Sequence, residues 1–175
     1  LVDERTGERM VLWSRDDTIA LGADELPPEL LPSATVVHVD DVDQQAAIQV
    51  ATLARAAGAV VTSDIDRVTD RTDELVAAVS IPILAEHVPS ALTGEAEVGR
   101  ALRTLHARHG TMMCVTLGRS GAMIVDRGRV HYALGYTGLG VGATRWAAGI
   151  LRDKVLAPDS PRLRLRFVRS RPFPI

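Results

Sequence analysis

The stretch TVVHVDDVDQQAAIQVATLARAAGAVVTSDID, residues 35–66, contains two β-branched runs separated by a segment with helical spacing. The run Thr35–Val39 and the run that opens AVVTSDID are typical of buried strands. Between them, Asp41 or Asp43 is placed to cap a helix and Gly58 to end it. Apolar side chains recur in this segment at helical spacing, at Ala47, Ile48, Ala51, Leu53 and Ala54. A strand, a helix and a second strand in this order predict a βαβ unit and a parallel sheet.

The same alternation continues along the chain. DRTDELVAAVS predicts a short helix with Asp70 as its cap, and IPILAEH predicts a strand with its exit loop. TGEAEVGRALRTLHARHG predicts a helix that begins after Thr93 and ends at Gly110. MMCVTL, AMIVDR and RVHYAL predict three closely spaced strands, while RMVLWSRDDTIAL (9–21) predicts a hairpin or bent strand pair. We therefore predict an α/β fold whose largely parallel sheet is covered by helices and has antiparallel strands at one edge.

Composition places the chain among globular domains and excludes several classes. Its 175 residues, 46% of them hydrophobic, suffice for one domain with a sizeable core. The net charge of −2 gives no reason to expect a nucleic-acid partner, and no apolar run is long enough to span a membrane. Cys114 is the only cysteine, which excludes an intrachain disulfide and favours a cytoplasmic location. The first residues, LVDERTGERM, show no signal-peptide pattern.

The end of the chain differs in composition from the rest. Residues 151–175 carry six arginines, one lysine and two aspartates, a net charge of +5. In PRLRLR the arginines alternate with other residues, as in an edge strand with one basic face, but the composition of the segment favours a disordered end. We therefore divide the chain into a folded domain, residues 1–150, and a basic Pro- and Arg-rich tail, residues 151–175.

Two glycine-rich segments are candidate anion-binding loops. In VTLGRSGA, Gly118 and Gly121 follow a strand at the end where open parallel sheets bind ligands, although a plain tight turn also explains them. In TGLGVGA, Gly138 and Gly140 lie ahead of an Ala-rich run, so several backbone N–H groups can hold a phosphate at a helix start. The spacing is not that of a P-loop and fits the dinucleotide fingerprint poorly. A flexible connector is the alternative.

Acidic and histidine side chains are weaker evidence for a binding site than the glycine-rich segments are. Asp64 and Asp66 in SDID can bind Mg²⁺ through water or orient a substrate hydroxyl, whereas helix capping and solvation are the competing explanation. His106 and His109 lie near the end of a predicted helix, where a cation interacts well with the helix dipole. His38, His87 and His131 share no ligand spacing, so we propose no metal site.

The order of these segments resembles the C-terminal two-thirds of a PfkB (ribokinase-like) carbohydrate kinase, over roughly Thr6 to Ile150. TGERMVLWSRD resembles the strand pair before the family's central sheet, and SATVVHVDD with AAIQVATLARAAGAVVTSDID resembles its strand–helix–strand leading to an aspartate-bearing turn. The most specific matches are ILAEHVPSALTGEAEVGRALRTL, similar to the family's E…LTG…AL…L segment, and CVTLGRSGAMIVDRGRVHYAL, similar to its nucleotide-side strand, turn and hairpin. The resemblance implies a ribokinase-like three-layer α/β/α sandwich with a mostly parallel, Rossmann-like sheet, here incomplete because the family's N-terminal third has no counterpart.

The resemblance also implies an activity, the ATP-dependent phosphorylation of a sugar with the help of Mg²⁺. It places Thr116, Gly118 and Gly121 on the nucleotide side, with Asp64 and Asp66 assisting the metal or the nucleotide.

The catalytic motif of the family is altered in this chain. TGLGV aligns with the family's T-G-A-G-D, whose glycine amides form an anion hole and whose Asp accepts the substrate proton. Gly138, Leu139 and Gly140 then take the anion-hole positions, and Val141 takes the position of the base, which valine cannot fill. A second register places Arg145 there instead, so neither register supplies a carboxylate.

Other departures from the family's motifs also argue against full catalytic activity. The family's N-x-x-E motif falls on Ala85 and Val88, with Glu86 as a nearby acid, and after residue 150 the resemblance fades. We therefore expect impaired phosphoryl transfer and a coding sequence disrupted near residues 134–144. The alternatives are a non-catalytic remnant that binds nucleotide or associates with another subunit, and an unrelated Rossmann-like regulatory domain. The last is disfavoured because DDVDQ, not a glycine fingerprint, follows TVVHV.

Overall fold

A computed structural model of the chain describes residues 10, 12, 14–22, 25, 28–133, 149–150, 152–153 and 156–164. Six strands form a sheet in the order in which they occur in the sequence: β1 Val36–Asp40, β2 Val60–Ile65, β3 Ile81–Ala85, β4 Met113–Thr116, β5 Ala122–Asp126 and β6 Arg129–Ala133. The helices are α1 Gln44–Ala56, α2 Thr72–Ala78, α3 His87–Thr93 and α4 Val98–His109. β1 to β4 are parallel, whereas β4–β5 and β5–β6 are antiparallel. The predicted α/β class and its antiparallel edge are therefore confirmed.

One face of the sheet forms the core together with the helices. Since β1 to β4 step across the sheet in one direction, right-handed crossovers place their connecting helices on the same face. Alternate strand residues face this layer, as Val61, Ser63 and Ile65 do in β2. The core contains fully buried residues from α2, α4 and four strands: Leu75, Val76, Leu84, Leu102, Leu105, Met113, Val115 and Val125, as well as Val61 and Ile65. None of the helices in the described ranges has the length and apolar character needed to cross a membrane.

The predicted helix ends are confirmed, but the predicted caps are wrong in detail. Gly58 (φ +91°) and Gly110 (φ +70°) adopt the left-handed backbone that ends α1 and α4. Asp43 occupies the cap position of α1 but makes no capping hydrogen bond. Its Oδ2 instead accepts from Arg15 Nη2 (2.7 Å) and from the Leu21 N–H group (3.2 Å), and the Arg15 hydrogen bond lowers the pKa of Asp43. At α2, Arg71 and not Asp70 takes the cap position.

The segment before α4 contains a helix that the sequence did not predict. The helix expected to follow Thr93 begins at Val98, where the Glu97 carboxylate accepts from the N–H groups of Gly99 (2.8 Å) and Arg100 (2.7 Å). Thr93 ends α3, and its hydroxyl donates to the Pro89 carbonyl (2.8 Å). Pro89 lies in the first turn of α3, where proline is tolerated because the first turn of a helix needs no internal N–H donor.

The strand pair predicted over residues 9–21 is not found in the described part of that segment, residues 10, 12 and 14–21. A 3-10 helix, Asp17–Ile19, occurs there instead. Asp16 Oδ1 accepts from the N–H group (2.9 Å) and the hydroxyl (2.7 Å) of Thr18. A local turn of this kind competes with a strand for the same backbone groups.

The described part of the basic tail is organised around Asp153, which is 2% exposed. Its carboxylate accepts from the Ser160 hydroxyl (2.6 Å) and from Arg152, and it lies 3.5 Å from Arg162 Nε. The Ser160 hydrogen bond, followed by that from Arg152, lowers the pKa of Asp153. Pro161–Arg164 forms a 3-10 helix, so the edge-strand interpretation is wrong for these four residues. The domain boundary at residue 150 stays a prediction.

Candidate functional site

The carboxyl ends of β1 to β4 meet at one edge of the sheet, and five of the predicted site residues lie at or next to it. Asp64 is near the end of β2, Asp66 follows that strand, and Thr116 is the last residue of β4. β5 begins at this edge, with Ala122 opposite Thr116, and β6 returns to it, with Ala133 opposite Ala122. Open parallel sheets bind their ligands beyond the carboxyl ends of the strands, so this edge is the candidate site.

Gly118 and Gly121 form the connection between β4 and β5. The Leu117 N–H group donates to the Gly121 carbonyl (2.8 Å), and the Gly121 N–H group donates to the Gly118 carbonyl (3.1 Å). Gly118 has φ +52°, and Gly121 has φ +91° with ψ −130°, a combination suited to glycine. The segment is thus a tight turn between antiparallel strands. Whether it also contacts a nucleotide stays a prediction.

Thr116 is exposed at the end of β4. Its hydroxyl donates to the Leu84 carbonyl at 3.4 Å, a long hydrogen bond to the neighbouring strand β3. The side chain therefore lies beside the turn at the edge of the sheet, and its assignment to the nucleotide side stays a prediction.

Asp64 has an acidic neighbour that the sequence analysis did not single out. The register of β1 and β2 places Asp40 directly beside Asp64, and both residues are exposed. Paired residues of parallel strands project from the same face, so the two carboxylates lie side by side on the face opposite the helical core. Only the pairing of the two strands could reveal this, because the residues are far apart in the sequence.

Asp66 lies close to a histidine from the next connection. Its Oδ1 is 4.0 Å from Nδ1 of His87, the first residue of α3, and both side chains are largely exposed. In the sequence, His87 shares no ligand spacing with another histidine. The adjacency of β2 and β3 brings the two loops, and hence the two side chains, together.

Asp41 links the ends of β1 and β2 and is only 7% exposed. Its Oδ2 accepts hydrogen bonds from the N–H groups of Asp66 (2.7 Å) and Arg67. The sequence suggested this residue only as a helix cap, so its actual partners were missed. Backbone N–H groups carry no sequence signal, which leaves nothing in the pattern that could have identified them.

His106 and His109 have structural partners, in line with the structural role expected of them. His106 Nδ1 lies 2.7 Å from the Thr111 carbonyl, and the Gly128 N–H group donates to Nε2 at 3.3 Å. His109 Nε2 lies 3.2 Å from Asp73 Oδ1, which also accepts from Arg108 Nη1 (2.8 Å). Within the described residues, no group of three or more His, Cys, Asp or Glu side chains is arranged to hold a metal ion.

A cavity of about 360 Å³ opens beside β1 and the start of α1, and its lining includes Leu21, His38, Asp40, Asp43 and Val50. β1 and β4 are three strand spacings apart, roughly 14 Å. The cavity is therefore separate from the turn that contains Gly118 and Gly121.

Four predicted catalytic residues fall outside the part of the chain that the structure describes: Gly138, Leu139, Gly140 and Val141. The anion hole and the vacant base position accordingly stay predictions. The described segment 28–133 ends at Ala133, the last residue of β6, at the candidate edge.

Comparison with known proteins shows which solved structures are similar to this fold. No protein-family model matches the sequence, and no curated protein matches it. A crystal structure from Agrobacterium tumefaciens with a provisional ribokinase assignment is similar over 76% of this chain and 44% of that one, with 29% identity and a TM-score of 0.67. The fold is ribokinase-like. The predicted resemblance to ribokinase and PfkB kinases is thereby confirmed in three dimensions.

Two further structures are similar to this ribokinase-like chain. A PfkB protein from Polaromonas sp. JS666 is 25% identical, with a TM-score of 0.57, over 75% of this chain and 50% of that one. Arabidopsis thaliana ribokinase, solved with ribose and ATP, is 22% identical, with a TM-score of 0.55, over 76% of this chain and 46% of that one. The chain thus spans about half the length of the solved structures that it matches.

Proposed function

We propose that this ribokinase-like chain derives from an ATP-dependent kinase that phosphorylates a hydroxyl of a sugar or a sugar-like nucleoside, and that phosphoryl transfer is impaired in it. The observation that carries the proposal is the match of its sheet to ribokinase-like structures, the most similar of the three described above being 29% identical. The Arabidopsis relative of the same fold was solved with ribose and ATP. A sugar and ATP are accordingly the proposed small-molecule partners.

The described residues suit a nucleotide whose Mg²⁺ is held mainly by its own phosphates. Mg²⁺ is commonly bound through one or two carboxylates plus substrate phosphates, not by a cage of protein side chains. Asp64 and Asp66 are exposed acids at the candidate edge, and no larger ligand cluster exists in the described ranges. In the proposal, these two residues assist the metal, while Thr116, Gly118 and Gly121 contact the nucleotide.

The proposed impairment rests on the residue at the base position. In the favoured alignment this is Val141, which cannot accept the proton of the attacking hydroxyl. A general base typically contributes about 10²–10⁴-fold to the rate, so turnover should fall near background even where Gly138, Leu139 and Gly140 still hold the phosphoryl anion.

A kinase assay with Mg·ATP and a panel of sugars and nucleosides tests the proposal. We expect the chain itself to show near-background turnover and Val141→Asp to exceed it. Val141→Asn, which matches aspartate in shape but is no base, is the control and should stay at background. Robust turnover by the unaltered chain would contradict the assigned base position, and phosphorylation of no substrate by Val141→Asp would remove the support for a sugar kinase.

The second candidate function is a non-catalytic nucleotide-binding or subunit-association role. It is favoured by the same observation that weakens catalysis, because the turn at Gly118 and Gly121 is intact while the base position holds valine. A rise in melting temperature with ATP or ADP, without turnover, supports nucleotide binding. An unchanged melting temperature with both nucleotides indicates that the chain has no nucleotide site.

The proposal also includes a cytoplasmic location, since the chain contains one cysteine and no disulfide within it can form.

A further inference from the structure

Asp41 connects two loops beyond the point where the strands themselves stop pairing. The last register pair of β1 and β2 is Asp40 with Asp64, so the backbone ladder ends one residue before Asp41. The Asp41 carboxylate then accepts from the consecutive N–H groups of Asp66 (2.7 Å) and Arg67 through one oxygen, Oδ2. These bonds add nothing to the ladder. They fix the segment that follows it.

Burial of this carboxylate needs compensation, because a buried charge without partners is strongly unfavourable. Asp41 is 7% exposed, and two N–H groups donating to one carboxylate form charge-assisted hydrogen bonds that are stronger than neutral ones. The compensation comes from the backbone of the loop after β2. The position of that loop is consequently tied to Asp41.

The far end of the same loop is held by a second buried polar group. The Thr72 hydroxyl, which is fully buried, accepts from the Thr69 N–H group (2.8 Å) and donates to the Arg67 carbonyl (3.0 Å). The Thr69 hydroxyl donates to Gln44 Oε1 (2.6 Å), which joins the loop to the first turn of α1. Residues 66–72 therefore have defined hydrogen bonds at both ends, while the Asp66 side chain itself remains 78% exposed at the candidate edge.

We propose that Asp41 is a positioning residue for the nucleotide–metal side of the site and that it acts through Asp66. By holding the Asp66 and Arg67 N–H groups, it directs the Asp66 carboxylate toward the edge where Mg²⁺ carried by nucleotide phosphates would bind. The inference rests on the proposed function, since it assumes that the edge takes a Mg²⁺-bound nucleotide.

A double-mutant cycle on binding tests the inference without relying on turnover. The dissociation constant of ATP is measured by calorimetry with Mg²⁺ and with EDTA for the unaltered chain, Asp41→Ala, Asp66→Asn and the double variant. Asp66→Asn keeps an oxygen but removes the carboxylate charge that would face Mg²⁺ through water. The loss of that charge-assisted interaction, about 1.5–3 kcal/mol, should weaken Mg·ATP binding roughly 10–100-fold. Asp41→Ala should weaken it to a similar or smaller extent, and the double variant should bind no more weakly than Asp66→Asn alone.

Two control variants separate positioning from general destabilisation. Asp41→Asn keeps an oxygen that can accept both N–H groups and should bind Mg·ATP nearly as well as the unaltered chain. Asp73→Ala removes a carboxylate that joins α2 to α4 away from the edge and should leave binding unchanged. If Asp41→Ala does not fold, Asp41→Thr, whose hydroxyl is too short to reach both groups, takes its place.

Hydrogen exchange of the Asp66 and Arg67 amides gives a readout that needs no ligand. Faster exchange of these two amides in Asp41→Ala, with slow exchange restored in Asp41→Asn, supports the positioning role of Asp41. Unchanged exchange in Asp41→Ala overturns it. Multiplicative losses in the double variant, or equal Mg·ATP affinity with and without Asp41, also overturn the inference while leaving the proposed function standing. Absence of Mg²⁺-dependent ATP binding in the unaltered chain overturns both.

Discussion

Ser63 lies in the middle of β2 with its hydroxyl fully buried and, in the described part of the chain, without a hydrogen-bond partner. Its neighbours in register are Val39 and Pro82, and proline has no N–H group to offer. A buried hydroxyl without a partner costs roughly 1–3 kcal/mol of desolvation free energy. The residue therefore lowers the stability of the sheet at its centre.

We expect Ser63→Ala to raise the free energy of unfolding by about 1 kcal/mol, because it removes the unpartnered hydroxyl and leaves only a small void. Thr72→Val is the matched control, since it removes a buried hydroxyl that has partners, and it should lower stability by roughly 1–3 kcal/mol. Urea denaturation measures both. A loss of stability in Ser63→Ala would show that its hydroxyl has a partner.

Cys114 should be unreactive in the folded protein. Although part of the residue remains accessible, burial raises the pKa of its thiol from 9.0 to about 12, so little thiolate exists at pH 8. Labelling with iodoacetamide should be slow in the native protein and fast in guanidinium. Because the folded pKa is the higher one, this group's contribution to stability is complete below pH 9 and is lost as the pH rises toward 12. Cys114→Ala should lack this alkaline loss, and rapid native labelling would contradict the assignment.

At the scale of single elements, the two glycines of the turn between β4 and β5 should differ in the stability that a substitution costs. Gly118 has a left-handed φ of +52° and open space where a Cβ would lie, so Gly118→Asn should cost less than about 1 kcal/mol. Gly121, with φ +91° and ψ −130°, should lose roughly 1–3 kcal/mol as Gly121→Ala. Thermal unfolding of the two variants checks the order. Equal losses would mean that the turn relaxes around either substitution.

The helices show how far local patterns predict an element. α1 and α4 end at Gly58 and Gly110 as predicted, because a left-handed glycine after an amphipathic run is a local signal. The start of α4 at Val98 and the existence of α3 were missed. The sequence analysis placed the start of α4 after Thr93, whereas Glu97 caps the helix through its side chain, and Pro89 lies in the first turn of α3 without breaking it.

For the whole molecule, the sheet face opposite the helical core carries exposed apolar residues. Val36 is 60% and Val60 43% exposed on this face, and Ile81 and Ile83 in β3 are half-buried. Exposed apolar surface favours association, so we expect aggregation or self-association that increases with protein concentration. Sedimentation or light scattering measures it, and the double variant Val36→Thr/Val60→Thr should associate less. Monodisperse monomer at all concentrations would contradict the expectation.

The altered catalytic motif bears on the coding sequence of the chain. TGLGV has valine where the family's T-G-A-G-D has aspartate, and the sequence after residue 150 no longer resembles a PfkB kinase. We expect another reading frame near residues 134–144 to encode a G-A-G-D motif followed by an apolar helix. Translation of the other two frames of the gene tests this, and absence of the motif from both would reject a frameshift.

The sequence by itself determined the order of the six strands and of α1, α2 and α4, the α/β class and the resemblance to ribokinase-like kinases, because these follow from local periodicity, glycine positions and motif spacing. Only the tertiary structure decided which polar groups meet: Asp41 with the loop after β2, Asp43 with Arg15, Asp40 with Asp64, and Asp66 with His87. These partners lie on different elements, so they become neighbours only when parallel strands are placed side by side in a given register. No spacing along the chain encodes that register, which is set by the burial of one face of the sheet against the helices.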